Sequence, residues 1–325
     1  MDFMSRVFVS GGAGFIGSHI CDRIIEMGHE VLCYDSLITG FKENIEHLTG
    51  NSRFSFVEGD IRDSENLRKH LKGCSHVCHQ AALGSVPRSI ENPVLTNEIN
   101  LGGSLNILSI SHSIGIRRFV FASSSSVYGD NEDMPKVEGN TGNLLSPYAV
   151  TKSSFEDYAR VFFHIHGTET IGLRYFNVFG PRQSPRGAYA AVIPLFLKAL
   201  KDGQKPVIFG DGEQTRDFTY VQNSVNANIL ALFGEVNDCF GKSFNVACGE
   251  TLTINRVFSK IRESLCQRGY DLEMIDPKYD SPRSGDIRDS LADLSEISSC
   301  LGYSPEIDFG EGIDRTVDWF IEYNE

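Results

Sequence analysis

The sequence is short of positive charge and of long hydrophobic runs, and each shortage excludes a class of function. It carries 30 lysines and arginines against 43 aspartates and glutamates, for a net charge of −13. A nucleic-acid surface needs a basic patch, so we expect no nucleic-acid partner. No apolar run approaches the roughly 20 residues of a membrane-spanning helix, and the N-terminal segment lacks the pattern of a signal peptide. We therefore expect a cytoplasmic protein with no membrane partner.

Clustered metal ligands are missing as well. The chain has no Cys-x-x-Cys pair and no His/Cys cluster with the spacing of a zinc site, so we expect no metal. Without a signal peptide, buried thiols are favoured over disulfides. The cysteines are scattered along the chain: Cys21, Cys33, Cys74, Cys78, Cys239, Cys248, Cys266 and Cys300.

What is present is an alternation of short apolar runs with helical patterns, which is typical of a doubly wound parallel sheet covered on both faces. The predicted strands are Arg6–Ser10, Glu30–Asp35, Phe54–Asp60, His76–Ala81, Arg118–Ser123 and Thr170–Phe176. The predicted helices between them are Phe15–Met27, Ser64–Leu71, Val94–Ser113 and Pro147–His166.

The pattern changes after Phe176, where a loop rich in Pro, Arg and Gly begins. We predict one domain over residues 1–176 and a smaller α/β domain over 177–325, with residues 217–247 returning to the first domain. The second half is predicted to contain helix Ala190–Leu200, strand Val207–Phe209, helix Val221–Phe233 and strand Ser243–Ala247.

The first strand runs into three glycines spaced three apart: Gly11, Gly14 and Gly17. At a strand-to-helix turn, this spacing lets a dinucleotide pyrophosphate approach bare backbone and the helix N-terminus. The second strand ends at Asp35, placed to bind the adenosine ribose hydroxyls. Because Ser36 follows rather than Arg or Lys, NAD is favoured over NADP.

The next two strands end in residues that suit the same cofactor. The third ends at Gly59-Asp60-Ile61, a plausible edge for adenine, and the fourth at His79-Gln80-Ala81-Ala82, where small residues would let the cofactor cross the sheet. We interpret His79 as a packed strand residue rather than a functional one.

A catalytic group is predicted where Ser146 and Pro147 begin a helix, because Tyr148 and Lys152 then share one face at i and i+4. Free tyrosine is a poor base at neutral pH, but a nearby ammonium and a nicotinamide cation would lower its pKa. The preceding strand runs into a cluster of serines at the carboxyl edge of the sheet, Ser123–Ser126. A serine at that strand end can hydrogen-bond the reacting hydroxyl and help pass its proton to Tyr148.

These motifs resemble the extended short-chain dehydrogenase/reductases, and within them the nucleotide-sugar 4-epimerases. The resemblance covers nearly the whole chain and includes Arg174–Val178, residues 210–218 and Arg283–Asp286. Residues 80–89, 145–152 and 187–194 look like those of bacterial UDP-N-acetylglucosamine 4-epimerases, which serve surface-polysaccharide synthesis. The resemblance implies a Rossmann fold, NAD, a UDP-sugar substrate and a homodimer.

The resemblance also implies the site residues. Catalysis would fall to Tyr148, Lys152 and Ser124. The NAD contacts would be Gly11, Gly14, Phe15, Ile16, Gly17, Asp35, Ser36, Gly40, Asp60, Ile61, Gln80, Ala81, Asn100, Tyr148, Lys152 and Val178. The substrate contacts would be Gly84, Ser85, Ser124, Ser125, Ser126, Tyr148, Asn177, Ala191, Val192, Arg216, Arg283, Asp286 and Ser290.

Three positions narrow the expected reaction type and the expected sugar. Ser125 and Ser126 stand where the family's dehydratases carry Asp-Glu and its decarboxylases carry Glu, so elimination is disfavoured. Ser290 aligns with a bulky tyrosine of strict UDP-glucose/galactose epimerases and leaves room for a 2-acetamido group.

Arginine is a candidate ligand for the substrate phosphates, because its forked donors match phosphate oxygens. Arg216 and Arg283 are interpreted as substrate ligands, whereas Arg182 and Arg186 are interpreted as surface ion pairs.

Three alternatives stay open. The enzyme could act on another UDP-sugar, such as UDP-glucose/galactose or a UDP-hexuronic acid. It could be a net oxidoreductase or dehydratase. It could also be a non-catalytic NAD-binding sensor, since fold alone does not fix function.

Overall fold

The computed structural model describes residues 4–186, 190–236, 238–282 and 288–323. Thirteen strands and eleven α-helices lie within these ranges. The strands are β1 Arg6–Ser10, β2 Glu30–Asp35, β3 Phe54–Glu58, β4 His76–His79, β5 Arg118–Ser124, β6 Glu169–Tyr175, β7 Val178–Phe179, β8 Val207–Phe209, β9 Thr215–Arg216, β10 Thr219–Tyr220, β11 Lys242–Val246, β12 Leu252–Thr253 and β13 Lys278–Asp280. The helices are α1 Phe15–Glu26, α2 Ser64–Leu71, α3 Val86–Glu91, α4 Pro93–Asn97, α5 Ser104–Ser113, α6 Pro147–His166, α7 Val192–Lys201, α8 Val221–Phe233, α9 Ile254–Gln267, α10 Ser295–Leu301 and α11 Phe309–Tyr323.

A seven-stranded parallel sheet forms the centre, in the order β11-β6-β5-β4-β1-β2-β3. This is the doubly wound order predicted from the sequence, with the reversal between β1 and β4, so the Rossmann-type α/β fold is confirmed. β11 extends the sheet beside β6, and α8 packs against α1. The boundary at residue 176 between two domains stays a prediction.

Two apolar cores cover the faces of this sheet. Ile20 and Ile24 of α1 pack with Val225 of α8 on one face. Helices α2, α5 and α6 cover the other face, through side chains that include Leu67, Leu108 and Phe155. Both sets are fully or nearly fully buried, so the loops at the carboxyl edge are carried by a rigid frame.

A third core holds the C-terminal part together. Helices α7, α9 and α11 pack around Leu197, Val257, Ile261 and Val317, all of them buried. The short pairs β12 with β9 and β13 with β8 lie beside this core. No helix in the described ranges is both long and apolar enough to cross a membrane.

One predicted helix is interrupted. The expected helix Val94–Ser113 is instead α4, a π-helical turn Glu98–Gly103, and α5. The backbone runs close to its neighbours there, since a Cβ on Gly103 would lie 2.5 Å from Cγ1 of Ile61. The wider turn contains Asn100, whose amide holds the backbone of Leu83 in the loop after β4. Such π-turns are common beside functional sites.

Candidate active site

The glycine turn after β1 is built for close approach of another backbone or a ligand. Gly11 has φ +71°, and a Cβ there would lie 2.5 Å from the Ala81 nitrogen. A Cβ on Gly17 would lie 2.1 Å from the Gly11 oxygen. Gly14 caps α1 without a side-chain hydrogen bond, which leaves the first amides of that helix free to meet an anion.

Asp35 lies at the end of β2 beside this turn. Its two carboxylate oxygens accept hydrogen bonds from the Leu37 nitrogen, at 2.8 Å, and the Ala13 nitrogen, at 3.0 Å. These bonds lower its pKa, but burial raises it by more, so the net direction is upward. These two bonds fix the orientation of the carboxylate, and its remaining lone pairs can accept hydrogen bonds from ribose hydroxyls.

A cavity of about 440 Å³ follows the carboxyl edge of the sheet from this turn to α6. Sixteen residues predicted as ligand contacts line it: Gly11, Gly14, Phe15, Ile16, Gly17, Asp35, Ser36, Gly40, Asp60, Ile61, Gln80, Ala81, Gly84, Tyr148, Lys152 and Ala191. The predicted cofactor residues among them are therefore brought together from five separate chain segments. The site fits an extended dinucleotide because the glycine turn, Asp35 and the carboxyl edge of the sheet line one continuous cavity.

Two predicted cofactor contacts lie elsewhere. Asn100 is buried, and besides Leu83 it donates to Oγ1 of Thr151, so it supports the cavity wall from behind. Val178 does not line the cavity, and its carbonyl accepts a hydrogen bond from Nε2 of Gln183. His79 is buried between the hydroxyls of Ser10 and Ser104, as expected of a packed residue.

Tyr148 lies in the first turn of α6, where Ser146 caps the helix through the Ala149 nitrogen at 3.1 Å. Its phenol lies near the side chain of Ser124, the last residue of β5. Burial raises the pKa of Tyr148, and the nearby Ser124 hydroxyl lowers it by less. A tyrosine base at this position consequently needs positive charge close by.

Lys152 supplies such a charge one helical turn later. Its Nζ lies 5.8 Å from the Tyr148 ring centroid and donates to the Ala122 carbonyl at 2.7 Å. Burial lowers the pKa of Lys152 to about 8, and the carboxylate of Glu156 partly offsets this effect. The ammonium is therefore retained at neutral pH.

The serines after Ser124 form a 3-10 turn that ends at Tyr128. Ser124 Oγ accepts a hydrogen bond from the Ser126 nitrogen at 3.2 Å, which folds the turn over the end of β5. The Ser126 hydroxyl is buried and has no partner within the part of the chain that the structure describes. No carboxylate is supplied by positions 125 and 126.

A second cavity of about 500 Å³ lies beside the first, and Ala190 lines both. Three predicted substrate residues line it: Asn177, Val192 and Arg216. Sequence reasoning missed its aromatic and aliphatic walls, which include Phe209, Phe218 and Ile254. Phe209 ends a predicted strand and Phe218 belongs to the 210–218 motif, but neither pattern distinguishes a cavity wall from a core position.

Ser290 lies in a segment tied to this second cavity. The Thr215 nitrogen donates to the Arg288 carbonyl at 3.0 Å, and the Thr215 hydroxyl to Asp289 at 2.7 Å. Arg216 donates to the Arg288 carbonyl at 3.1 Å. The predicted residues Arg283 and Asp286 lie outside the described residues. Ser85 caps α3 with φ +121°, at the rim beside Gly84.

The family model for NAD-dependent epimerases and dehydratases matches residues 7–247. The chain belongs to the NAD-dependent epimerase/dehydratase family. The predicted cofactor, NAD, and the prediction of an epimerase-type enzyme are confirmed by this membership. Within the described residues, no group of three or more His, Cys, Asp or Glu side chains could hold a metal ion.

Solved structures of this family overlay closely. The UDP-N-acetylglucosamine 4-epimerase of Methanobrevibacter ruminantium, in complex with UDP-N-acetylmuramic acid, is 41% identical with a TM-score of 0.91, covering 98% of this chain and 99% of that one. The UDP-glucose 4-epimerase of Thermotoga maritima with UDP-glucose is 36% identical, with a TM-score of 0.90, over 98% and 100%. The UDP-glucuronic acid 4-epimerase of Bacillus cereus, with UDP-glucuronic acid and NAD, is 29% identical, with a TM-score of 0.89, over 98% and 99%.

Proposed function

We propose that this enzyme interconverts UDP-N-acetylglucosamine and UDP-N-acetylgalactosamine by inverting C4 of the sugar. The observation that carries the proposal is that Tyr148 and Lys152 line a cavity that adjoins a second one, with the side chain of Ser124 near the Tyr148 phenol. The first cavity suits the cofactor, and the second suits a nucleotide anchor remote from the reacting carbon.

The cofactor would be held by the glycine turn, Asp35 and the loop after β4. Bound NAD would supply a reversible hydride acceptor for C4 of the sugar, with no net oxidation over the cycle. Tyr148 accepts the proton of the C4 hydroxyl and later gives it back. Ser124 orients the phenol and bridges it to the sugar hydroxyl, while Lys152 stabilises the phenolate.

Inversion requires the flat 4-keto sugar to present its other face. An anchor at the uridine diphosphate would hold the intermediate while the sugar turns. Arg216 and Asn177, which line the second cavity, suit the phosphates: one offers charged, forked donors and the other an amide.

The serine turn favours epimerisation over elimination. Loss of water from the keto intermediate needs an acid and a base beside C5 and C6, which Ser125 and Ser126 do not supply at neutral pH. A buried hydroxyl without a protein partner, such as that of Ser126, is suited to hydrogen-bond a sugar instead.

The preference for an N-acetylated sugar rests on Ser290 and on similarity to the M. ruminantium enzyme. A small side chain leaves room for the acetamido group. The similarities to UDP-glucose and UDP-glucuronic acid 4-epimerases make those sugars the second candidates. A non-catalytic NAD sensor is disfavoured because a binder would not need Tyr148, Ser124 and Lys152 together.

The test is a substrate panel followed by proton NMR on NAD-loaded protein. UDP-GlcNAc, UDP-glucose, UDP-GlcNAc uronic acid and UDP-MurNAc are supplied separately at equal concentration. Fastest conversion of UDP-GlcNAc to its C4 epimer supports the proposal. If only another sugar is converted, the proposed substrate is wrong. If none of the sugars is converted, the proposed epimerase activity is wrong.

We also infer a homodimer, formed through α6 and the neighbouring α3 and α4. Val150, Tyr158, Val161 and Ile165 make an apolar stripe along α6, each at least 42% exposed. Such a stripe suits a second copy packing helix against helix. Leu108 and Phe155 are buried against the sheet and do not belong to this stripe. Light scattering coupled to size-exclusion chromatography should give a molar mass twice the 36.1 kDa of one chain.

A further inference from the structure

The loop after β7 returns to helix α1, to which it is fastened at two adjacent points. We call residues 180–186 the strap. Nε2 of His19 donates to the Pro181 carbonyl at 2.9 Å. Nη1 of Arg182 donates to Oδ2 of Asp22 at 2.8 Å. His19 and Asp22 both belong to α1, three residues apart, so the strap lies along one side of that helix.

Both fastenings are sheltered from solvent. The Arg182 and Asp22 side chains are only 19% and 21% exposed, so their attraction is screened less than that of a surface pair. Burial and the charge of Arg182 lower the pKa of His19 to about 4. His19 is therefore neutral at pH 7, and its Nε2 proton remains available for the Pro181 carbonyl. Asp22 also accepts from His47 at 2.7 Å.

The strap holds a conformation that it would not adopt unaided. Arg182 has φ +66°, in the left-handed region that disfavours residues with a Cβ. Such a conformation persists only when surrounding contacts fix it. The ion pair to Asp22 and the His19 bond to Pro181 are two of the contacts that fix the shape of the strap.

The strap also walls the cofactor cavity. Arg182, Gln183 and Ser184 line the same cavity as the glycine turn and the first residues of α1. Gln183 donates from Nε2 to the Val178 carbonyl at 3.0 Å, whereas its Oε1 is buried without a partner among the described residues. A dinucleotide pyrophosphate at the N-terminus of α1 would thus lie between that helix and the strap.

We propose that Arg182 and Asp22 form a clasp that retains NAD, by keeping the strap closed over the cofactor while the enzyme turns over. NAD leaves only when the strap lifts, and lifting it breaks the ion pair and the His19 bond. The clasp acts on the cofactor and goes beyond the proposed sugar chemistry, because it holds whichever sugar is used. An enzyme that returns its hydride each cycle has no need to release NAD.

The experiment measures the dissociation of NAD from loaded protein without any sugar. Wild type, Arg182→Gln and Asp22→Asn are passed through timed gel filtration, and the NAD that remains is extracted and quantified. Loss of one partly buried ion pair should speed dissociation about fivefold in either variant. Arg23→Gln, which removes an exposed pair with Glu26 on the same helix, is the matched control and should behave as wild type.

Arg182→Lys keeps the charge and should recover much of the wild-type retention, which a mere folding defect would not allow. Equal NAD loss from wild type, Arg182→Gln and Asp22→Asn would overturn the clasp. Faster loss in Arg23→Gln as well would also overturn it, by showing a general effect of charge on α1. None of these outcomes depends on which sugar is epimerised, so this test can fail while the proposed function stands.

Discussion

Arg174 of β6 and Glu156 of α6 form a buried ion pair through two hydrogen bonds. Nε and Nη2 of Arg174 donate to the two carboxylate oxygens of Glu156 at 2.9 and 2.7 Å, with side-chain exposures of 9% and 12%. Arg174 also donates to the Tyr128 hydroxyl at 3.1 Å. The pair joins β6 to α6 and to the serine turn, and it places a carboxylate one turn beyond Lys152.

The pH dependence of turnover should report this arrangement. Lys152, with a pKa near 8, is charged below that pH and loses its proton above it, so log kcat/KM should fall as pH rises past about 8. Glu156 raises the Lys152 pKa, so Glu156→Gln should move the fall to lower pH. The measurement is a pH–rate profile of both proteins. A pH–rate profile that is unchanged in Glu156→Gln would contradict the role of Glu156 in raising the pKa of Lys152.

Glu169→Gln is the control for this prediction. Glu169 pairs with Arg118 at 2.9 Å, at the opposite end of β5 and β6. Breaking a buried pair costs about 3–5 kcal/mol in stability, so both variants should unfold at lower temperature. Only the Glu156 variant should shift the pH profile.

Replacing Tyr148 with Phe removes the phenolic oxygen that contacts Ser124 while keeping the ring. We expect kcat to fall by a factor on the order of 10² to 10⁴, the usual value of general acid–base catalysis. Bound NAD should be unchanged. Tyr158→Phe, at an exposed tyrosine on the same helix, is the matched control. Near-normal turnover in Tyr148→Phe would refute its role as base.

Asp217 should govern substrate binding rather than chemistry. Its carboxylate accepts hydrogen bonds from the nitrogens of Cys248, Gly249 and Ala292, at 3.0, 3.0 and 3.2 Å. These bonds tie the loop after β11 and the Ser290 segment to one buried anchor. In Asp217→Asn an NH2 group would replace one of the two acceptor oxygens and face one or two of those donors, so we expect KM for the UDP-sugar to rise about tenfold, with kcat much less affected.

Initial-rate kinetics at saturating NAD would measure this split. Asp318→Asn, which removes an exposed partner of Arg268, is the control and should leave both constants as they are. A fall in kcat without a change in KM would count against an anchoring role for Asp217.

Ser290→Tyr should convert the sugar preference. A bulky ring in place of the half-buried serine would fill the space assigned to the acetamido group, so kcat/KM for UDP-GlcNAc should fall at least tenfold while that for UDP-glucose is retained. Ser290→Ala should keep the wild-type ratio. Equal loss of both sugars in the tyrosine variant would argue that Ser290 does not face the acetamido group.

The sequence predicted what local pattern can specify. The glycine spacing, Asp35, and the i, i+4 relation of Tyr148 and Lys152 are short-range signals, and the structure brings these residues to one cavity. The π-turn around Asn100 was missed because its contacts, the close approach of Gly103 to Ile61 and the bonds of Asn100 to Leu83, join separate parts of the sequence. The contact of Asp22 with Arg182 spans 160 residues and left no local trace. Arg182 does form an ion pair, but the expected position on the surface was wrong, because the pair is sheltered and Arg182 lines the cavity.

The most direct test of the account is whether the reaction reaches one equilibrium from both ends. NAD-loaded enzyme is given UDP-GlcNAc in one sample and UDP-GalNAc in another, and both are followed by NMR and by absorbance at about 340 nm, where reduced nicotinamide absorbs. We predict that both samples converge on the same ratio of epimers, without stoichiometric reduced nicotinamide. Conversion in one direction only, or a reduced cofactor or keto-sugar that accumulates in proportion to substrate, would contradict epimerisation by hydride removal and return.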